Sequence, residues 1–121
     1  MSSPVFECTT LEVAVSGAVA RVALNRPDVH NAFDEILIGE LTHVVRVLEA
    51  EALVRVVIVE GRGKSFCAGA DLNWMRKMAG FSQDENLADA NALAAMLSTL
   101  NNMAKPTIAR VHGAALGGGV G

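Results

Sequence analysis

Two spacings of apolar residues alternate along the chain, one typical of strands and the other of helices. In the first half of the chain they predict a β-hairpin over 11–24 turning at Ser16-Gly17, a loop over 25–33, a helix over 32–50 and a buried parallel strand over 54–61. In the second half they predict a glycine-containing loop over 61–71 and one or two helical turns over 72–78. A second long helix over 84–103 and a strand over 107–113 follow. This β-β-α-β-loop-α-β order predicts an α/β fold with helices covering a sheet. No linker or repeat divides residues 1–121, so we expect a single domain.

Both long helices have a predicted apolar face and a predicted end. In the first helix the apolar residues fall three and four positions apart at Ile36, Leu37, Leu41, Val44, Val45 and Leu48. Asn31 or Asp34 stands near its start, where a capping side chain is favoured. The face predicted for the second helix comprises Leu87, Ala90, Ala94, Leu97 and Leu100. That helix should end at Lys105-Pro106, because proline disfavours the α conformation in the residue before it.

The composition narrows the class of protein. Hydrophobic residues make up 51% and charged residues 19% of the chain, which excludes a disordered polymer. A net charge of −3 and a pI near 5.5 provide no basic surface for nucleic acid. A mean hydropathy of +0.35 is high, yet no apolar run approaches the roughly 20 residues of a membrane helix. The excess apolar surface predicts burial in an oligomer or in a larger fold.

The cysteines and the opening residues indicate a compartment. Cys8 and Cys67 are the only cysteines, one in an early strand and one in a loop. The opening MSSPVFECTT contains neither the basic nor the apolar region of a secretory leader. We therefore expect two reduced thiols and a cytoplasmic location, with a disulfide between them as the minor alternative.

The first glycine-containing loop resembles a phosphate loop only superficially. Gly63-Lys64-Ser65 matches the end of that motif, but the required earlier glycine would fall at Ile58, inside a strand. No helix start follows Ser65, so we reject the phosphate-loop interpretation. Arg62 and Lys64 are then solvated loop charges, or contacts for an anionic ligand.

Two stretches of small residues follow predicted strands and expose backbone N–H groups. In FCAGADL (66–72) the small residues allow close approach of a ligand, and Asp71 stands at an N-cap position. In HGAALGGGVG (112–121) a helix beginning near Leu116 would leave its first amides free. Free amides at a helix N-terminus favour an anion or a developing oxyanion. Either stretch alone is also consistent with a tight capped loop, but two such stretches in one α/β layer predict a shared site.

The remaining candidate residues predict structural roles. His30, His43 and His112 lie in a loop, on a helix and at a strand end, so we expect surface or structural roles for them. No spacing of histidine, cysteine or acidic residues indicates a metal site. The methionines most simply fill a core or an interface; these are Met75, Met78, Met96 and Met103.

Three stretches together resemble the enoyl-CoA hydratase/isomerase family, the crotonase superfamily. They are LNRPDVHNAF (24–33), VRVVIVEGRGKSFCAGADL (54–72) and KPTIARVHGAALGGGVG (105–121), in the order and at the spacing of that family. The resemblance spans nearly the whole chain but only about the N-terminal half of a usual member. It implies an incomplete crotonase-like domain over 1–121, ending in the glycine loop, from a superhelix of ββα units. The stretch 70–97 is similar to the methylglutaconyl-CoA hydratase branch, which acts in leucine and isoprenoid breakdown.

The resemblance also implies roles for particular residues. The backbone amides of Ala70 and Gly118 would hold the enolate oxygen of an acyl-CoA thioester. The coenzyme A part of that substrate would run past Val29, Ala68, Asp71 and Leu72, with no separate cofactor and no metal. The family usually assembles as trimers or dimers of trimers, so the resemblance implies a homotrimer or a dimer of trimers. The charge and the hydropathy pattern predict no nucleic-acid and no membrane partner.

One position departs from the pattern of the family. Its hydratases usually carry a glutamate three residues after the middle glycine, where this chain has Gly121, and the second acid would lie beyond residue 121. The first hypothesis is hydration of a 2-enoyl-CoA, possibly branched. A Δ3,Δ2-enoyl-CoA isomerase with a single acid is the enzymatic alternative. A non-catalytic acyl-CoA-binding or assembly fragment is the alternative of another class.

Overall fold

The computed structural model describes residues 6–121 and contains a four-stranded sheet. The strands are β1 (Leu11–Ser16), β2 (Val19–Leu24), β3 (Val56–Gly61) and β4 (Thr107–Ala109), and they lie side by side in that order. β1 and β2 are antiparallel, whereas β3 and β4 both run parallel to β2. The prediction about the opening residues falls partly outside the described range.

The predicted hairpin and the predicted parallel strand are both confirmed. Ser16 pairs with Val19 across the hairpin turn, and Gly17 occupies the turn with φ +60°, which glycine adopts without steric cost. β3 then pairs with β2 over the full length of both strands. A parallel return of this kind needs a crossover connection, which the first helix provides.

Three helices follow the predicted starts closely. They are α1 (Glu35–Ala50), α2 (Leu72–Ala79) and α3 (Gln83–Asn101). The Asp34 side chain caps α1 by accepting from the Leu37 amide at 2.9 Å, and Asp71 caps α2 in the same way. Ser82 and Glu85 form a reciprocal capping box at the start of α3. Of the two starts predicted for α1, the structure selects Asp34.

The core lies on one face of the sheet only. Alternate residues of β1, β2 and β3 point to this face and pack against α1 and the last turns of α3. The buried apolar residues of α1 are Leu37, Ile38, Leu41, Val44, Val45 and Leu48, close to the predicted face. Ile36 was predicted to join them, but it is exposed because it points away from the sheet. The other face of the sheet is largely uncovered.

The predicted apolar face of α3 is wrong. Leu87, Ala90, Ala94 and Leu97 are exposed, and the helix instead faces the core with Met96, Leu93 and Leu100. Of the predicted face, only Leu100 is partly buried. Alanines occur all around this helix, so more than one face has an apolar period of three and four residues. The long side chain of Met96, only 2% exposed, fills the core instead.

The last predicted strand is shorter than expected. β4 ends at Ala109, and only one further ladder bond, from the Arg110 amide to the Val59 carbonyl oxygen at 2.8 Å, continues it. The chain then turns at Gly113, which has φ +64° and lies directly against the Lys64 carbonyl group. Beyond the turn, a single 3-10 turn over Gly117–Gly119 begins after Leu116, where a helix start was predicted.

Candidate functional site

Three segments of chain meet beyond the ends of the parallel strands. The first loop (residues 25–33) follows β2, the central segment (residues 66–71) follows β3, and the glycine segment (residues 114–120) follows β4. Isolated parallel bridges join Phe33 to Ala70 and Cys67 to Ala115. The central segment therefore lies between the other two. The two small-residue stretches predicted to share a site are brought together by this arrangement.

Backbone hydrogen bonds hold the central segment on both sides. On the side of the first loop, the Phe33 amide donates to the Gly69 carbonyl oxygen at 2.6 Å and the Asp71 amide donates to that of Phe33 at 2.8 Å. On the side of the glycine segment, the Leu116 amide donates to the Cys67 carbonyl oxygen at 2.9 Å. Because both sides are tied, the path of the central segment is determined by its neighbours.

The amides of Ala70 and Gly118 are among the backbone amides of these segments that are left free. Within residues 6–121, neither the Ala70 amide nor the Gly118 amide donates a hydrogen bond, and both residues are exposed. In the parallel bridge between Phe33 and Ala70, the Gly69 carbonyl group and the Asp71 amide both point toward Phe33. The amide of Ala70, which lies between them, therefore points away from Phe33. That direction is the side on which the glycine segment lies.

Gly69 controls how closely the two free amides approach each other. Its φ is +88°, and a Cβ atom there would lie 2.9 Å from the Leu116 carbonyl oxygen and 3.3 Å from the Gly118 nitrogen. Gly118 in turn faces the Phe33 ring, whose Cε2 would lie 3.5 Å from a Cβ at Gly118. A side chain at position 69 would separate the two segments, so glycine is required there.

The carboxylate next to Ala70 is committed to structure. Asp71 accepts from the Trp74 amide as N-cap of α2, and its Oδ2 lies 3.2 Å from Nη2 of Arg26. Burial alone would raise the pKa of Asp71, but the hydrogen bonds from Trp74 and Arg26 outweigh it and lower the pKa. Arg26 also contacts Asp34 at 3.3 Å, so one guanidinium joins the N-caps of α1 and α2.

The residues predicted to contact coenzyme A line the outside of the central segment. Val29 and Asp71 border a polar cleft of about 190 Å³ that Arg26 and Lys77 also line. Ala68 is half-buried, with its amide bound to the His30 carbonyl oxygen at 3.0 Å. Leu72 is 69% exposed at the first position of α2, where an apolar ligand surface can reach it.

A larger, mostly apolar cleft borders Gly118. Its volume is about 840 Å³. Phe33, Phe66 and Met96 contribute to its lining, together with the exposed residues Ile108 and Val120. Gly118 itself lines this apolar cleft, so a group bound to its amide would lie next to the cleft.

The histidines and cysteines have structural contacts. His30 Nδ1 lies 3.0 Å from Ser65 Oγ, and His112 Nε2 lies 2.7 Å from the Gly63 carbonyl oxygen. Both cysteines are free thiols, and burial raises the pKa of Cys8 and of Cys67. Within the described range, no group of three histidine, cysteine or acidic side chains is placed to hold a metal. No helix of the same range is long and apolar enough to cross a membrane.

Sequence reasoning missed the two residues that tie the site together. The sequence predicts only a loop position for Arg26, whereas its guanidinium joins both helix caps. The sequence predicts only a possible helix cap at Asn31, whereas its side chain is fully buried and bonds to three carbonyl oxygens. The signal in both cases was a polar residue beside a proline turn, which is also typical of an ordinary surface loop.

Comparison with known proteins shows which family the chain belongs to. The family described as enoyl-CoA hydratase/isomerase matches residues 14–121. The chain belongs to the enoyl-CoA hydratase/isomerase family. A solved enoyl-CoA hydratase from Shewanella pealeana has a TM-score of 0.91 and 44% identity, over 94% of this chain and 43% of its own. The predicted crotonase-like fold is thereby confirmed.

The relatives of this chain include proteins named as hydratases and proteins named as isomerases. An enoyl-CoA isomerase/hydratase of Mycosarcoma maydis is 36% identical over 110 residues, which cover 84% of this chain and 39% of that protein. A Δ(3,5)-Δ(2,4)-dienoyl-CoA isomerase of Dictyostelium discoideum is 33% identical, over 91% of this chain and 40% of that protein. The chain therefore spans about two fifths of the length of these relatives.

Proposed function

We propose that the chain carries the thioester-binding part of an acyl-CoA enzyme and that the free amides of Ala70 and Gly118 bind the thioester oxygen. The observation that supports this most directly is the pair of exposed, unbonded amides on adjacent segments. An oxygen that gains negative charge is stabilised by preorganised N–H donors, and each is typically worth about 2.7–4 kcal/mol of transition-state free energy. This pair therefore suits a reaction that passes through a thioester enolate.

The reaction we propose first is hydration of a 2-enoyl-CoA, with a branched substrate such as methylglutaconyl-CoA favoured. The water gives one proton to a base as its oxygen bonds to the β-carbon, and the electron pair of the carbon–carbon double bond shifts so that negative charge develops on the thioester oxygen. The enolate then collapses as the α-carbon takes up a proton. The hydratase names among the relatives support this order of preference.

The second candidate is an isomerase that moves a double bond with a single acid. The dienoyl-CoA isomerase among the relatives favours it, as does the glycine at position 121. Asp71 is the carboxylate nearest to Ala70 in sequence, but its pairing with Arg26 and its capping bond leave it unsuited to carrying a proton. The acid of either reaction must therefore be a residue other than Asp71.

For the coenzyme A part of the substrate, we propose a path along Val29, Ala68, Asp71 and Leu72. Exposed Leu72 provides an apolar contact on that path, and Lys77, whose ammonium group pairs with Glu35 at 3.0 Å, lies at the edge of the polar cleft. No separate cofactor is needed, since coenzyme A enters with the acyl group.

We further propose that residues 1–121 are one incomplete crotonase-like domain that works in a homotrimer or dimer of trimers, in the cytoplasm. The exposed apolar residues of α3 and of the region after β4 support burial against further protein. The two free thiols support a reducing compartment.

The test uses the protein expressed from its complete reading frame. Loss of the conjugated thioester absorbance with crotonyl-CoA or methylglutaconyl-CoA is expected for a hydratase. Appearance of that absorbance from a 3-enoyl-CoA, with no loss from the 2-enoyl compounds, would instead establish the isomerase. Calorimetric binding of acyl-CoA without either reaction would identify a binding unit, and the absence of binding would contradict the proposal.

A further inference from the structure

Asn31 occupies an unusual position at the base of the candidate site. It is 0% exposed and has φ +57°, directly after His30 with φ +54°. Two successive non-glycine residues in the left-handed region are strained, although asparagine tolerates that region better than most residues. Such strain persists where the surrounding contacts determine the conformation.

Every polar atom of the Asn31 side chain is used. Its Oδ1 accepts from the Arg26 amide at 2.8 Å. Its Nδ2 donates to the carbonyl oxygens of Arg62 and Ser65, each at 2.9 Å, and to that of Phe66 at 3.1 Å. One carboxamide thus joins the first loop to the chain entering the central segment.

The residues that Asn31 holds also hold the glycine segment. The amides of Phe66 and Cys67 both donate to the Ala114 carbonyl oxygen, at 2.9 and 3.2 Å. The Cys67 thiol donates back to the Asn31 carbonyl oxygen at 3.2 Å. A displacement at residues 65–67 would therefore move both segments that carry the free amides.

We propose that Asn31 is a positioning residue that sets the separation and direction of the Ala70 and Gly118 amides. This inference rests on the proposed function, because it concerns how strongly that amide pair polarises a thioester carbonyl. Substituting a residue with a purely structural role would change the stability of the fold but would leave the polarisation of the bound thioester carbonyl unchanged. The test must therefore observe the bound carbonyl as well as the fold.

The variant is Asn31→Asp in the protein expressed from its complete reading frame. Aspartate is isosteric and tolerates positive φ, but it presents an oxygen to three carbonyl oxygens in place of the donating Nδ2. The probe is a cinnamoyl-type enoyl-CoA, whose chromophore is conjugated with the thioester carbonyl and shifts to the red when N–H groups bind that oxygen. We expect the variant to bind the probe within about threefold of the wild-type affinity but to lose at least half of the red shift.

Asn91→Asp is the matched control, because Asn91 is exposed in the middle of α3 and lines neither the polar nor the apolar cleft. It should keep the full red shift. If Asn31→Asp is unfolded by circular dichroism, Asn31→Gly replaces it, since glycine keeps the positive φ and adds no charge.

The outcomes separate the two proposals. A wild-type protein without binding or red shift overturns the proposed function and the inference with it. A wild-type red shift that Asn31→Asp or Asn31→Gly retains overturns the inference alone. Unfolding of both variants also overturns it, because Asn31 would then be a residue required for folding.

Discussion

Substitution of Gly69 tests the contact between the central segment and the glycine segment. We expect Gly69→Ala to destabilise the fold by about 1–3 kcal/mol, because alanine is strained at φ +88° and its Cβ would meet the Leu116 carbonyl oxygen. Urea unfolding measures this free energy. Gly39→Ala is the control: Gly39 lies in the interior of α1 with open space beside it, so alanine should stabilise by about 0.5–1 kcal/mol. Equal effects of the two substitutions would contradict the assigned role of Gly69.

Asp71 connects pH to the stability of the same region. The pKa of Asp71 is lowered in the folded protein below its ordinary value of 3.8. The ionised carboxylate therefore contributes fully to the free energy of unfolding above pH 3.8, and this contribution is lost as the pH falls through the lower pKa of the folded state. We expect Asp71→Asn to cost about 1–3 kcal/mol near neutral pH, because the bond to the Arg26 charge is weakened, and much less in acid. Unfolding free energies of both proteins across this pH range measure the difference.

Asp28→Asn is the matched control for that measurement. Asp28 is exposed in the first loop and forms no ion pair within residues 6–121. Its substitution should leave the unfolding free energy within about 0.5 kcal/mol at every pH. A difference between wild type and Asp71→Asn that does not change with pH would contradict the ion pair.

Individual residues of the site were predictable where local chemistry decides their position. Asp71 was predicted as an N-cap from its place before a short helical pattern, and one such bond forms in the structure. The role of Asn31 was not predictable, because the three carbonyl oxygens that its Nδ2 bonds lie 31–35 residues further along the chain. The roles of Ala70 and Gly118 remain predictions, although both residues lie where the paired stretches indicated.

Helices and strands were predictable in type and order but less so in orientation. A hydrophobic period defines a face only when the opposite face is polar. The polar residues of α1 satisfy this condition, whereas the alanines of α3 do not, and its predicted face was the exposed one. Similarly, β4 was predicted too long because its apolar residues extend beyond the ladder bonds that define it, to the exposed Val111.

Substitutions in α3 test which face packs on the core. Met96→Ala removes a side chain that is 2% exposed, so we expect a loss of about 2–5 kcal/mol. Leu87→Ala is the control on the same helix, and because Leu87 is 58% exposed we expect a change within about 0.5 kcal/mol. Both are measured by urea unfolding of the 121-residue chain. A larger loss for Leu87→Ala than for Met96→Ala would restore the face predicted from the sequence.

Across the whole molecule, the sheet divides a packed side from an open one. The open face carries the carboxylate of Glu60, which is buried among three arginine side chains. Their guanidinium nitrogens lie 3.4–3.9 Å from its oxygens, and the arginines are Arg21, Arg62 and Arg110. Beside this cluster, the uncovered edge of β4 carries exposed Ile108. Charge therefore protects only part of the open face, and the apolar part is where association should occur.

Association of the 121-residue chain should therefore depend on β4. Ile108 is 52% exposed on a strand of three residues whose outer edge pairs with no other strand of residues 6–121. We expect Ile108→Lys to shift the chain toward monomer in sedimentation velocity, because a lysine on an edge strand opposes pairing with a second copy. Leu53→Lys is the matched control: Leu53 is also 52% exposed but lies outside the strands, in the connection between α1 and β3, so its substitution should leave the association unchanged. An equal shift by both substitutions would mean that general charge, and not the β4 edge, governs association.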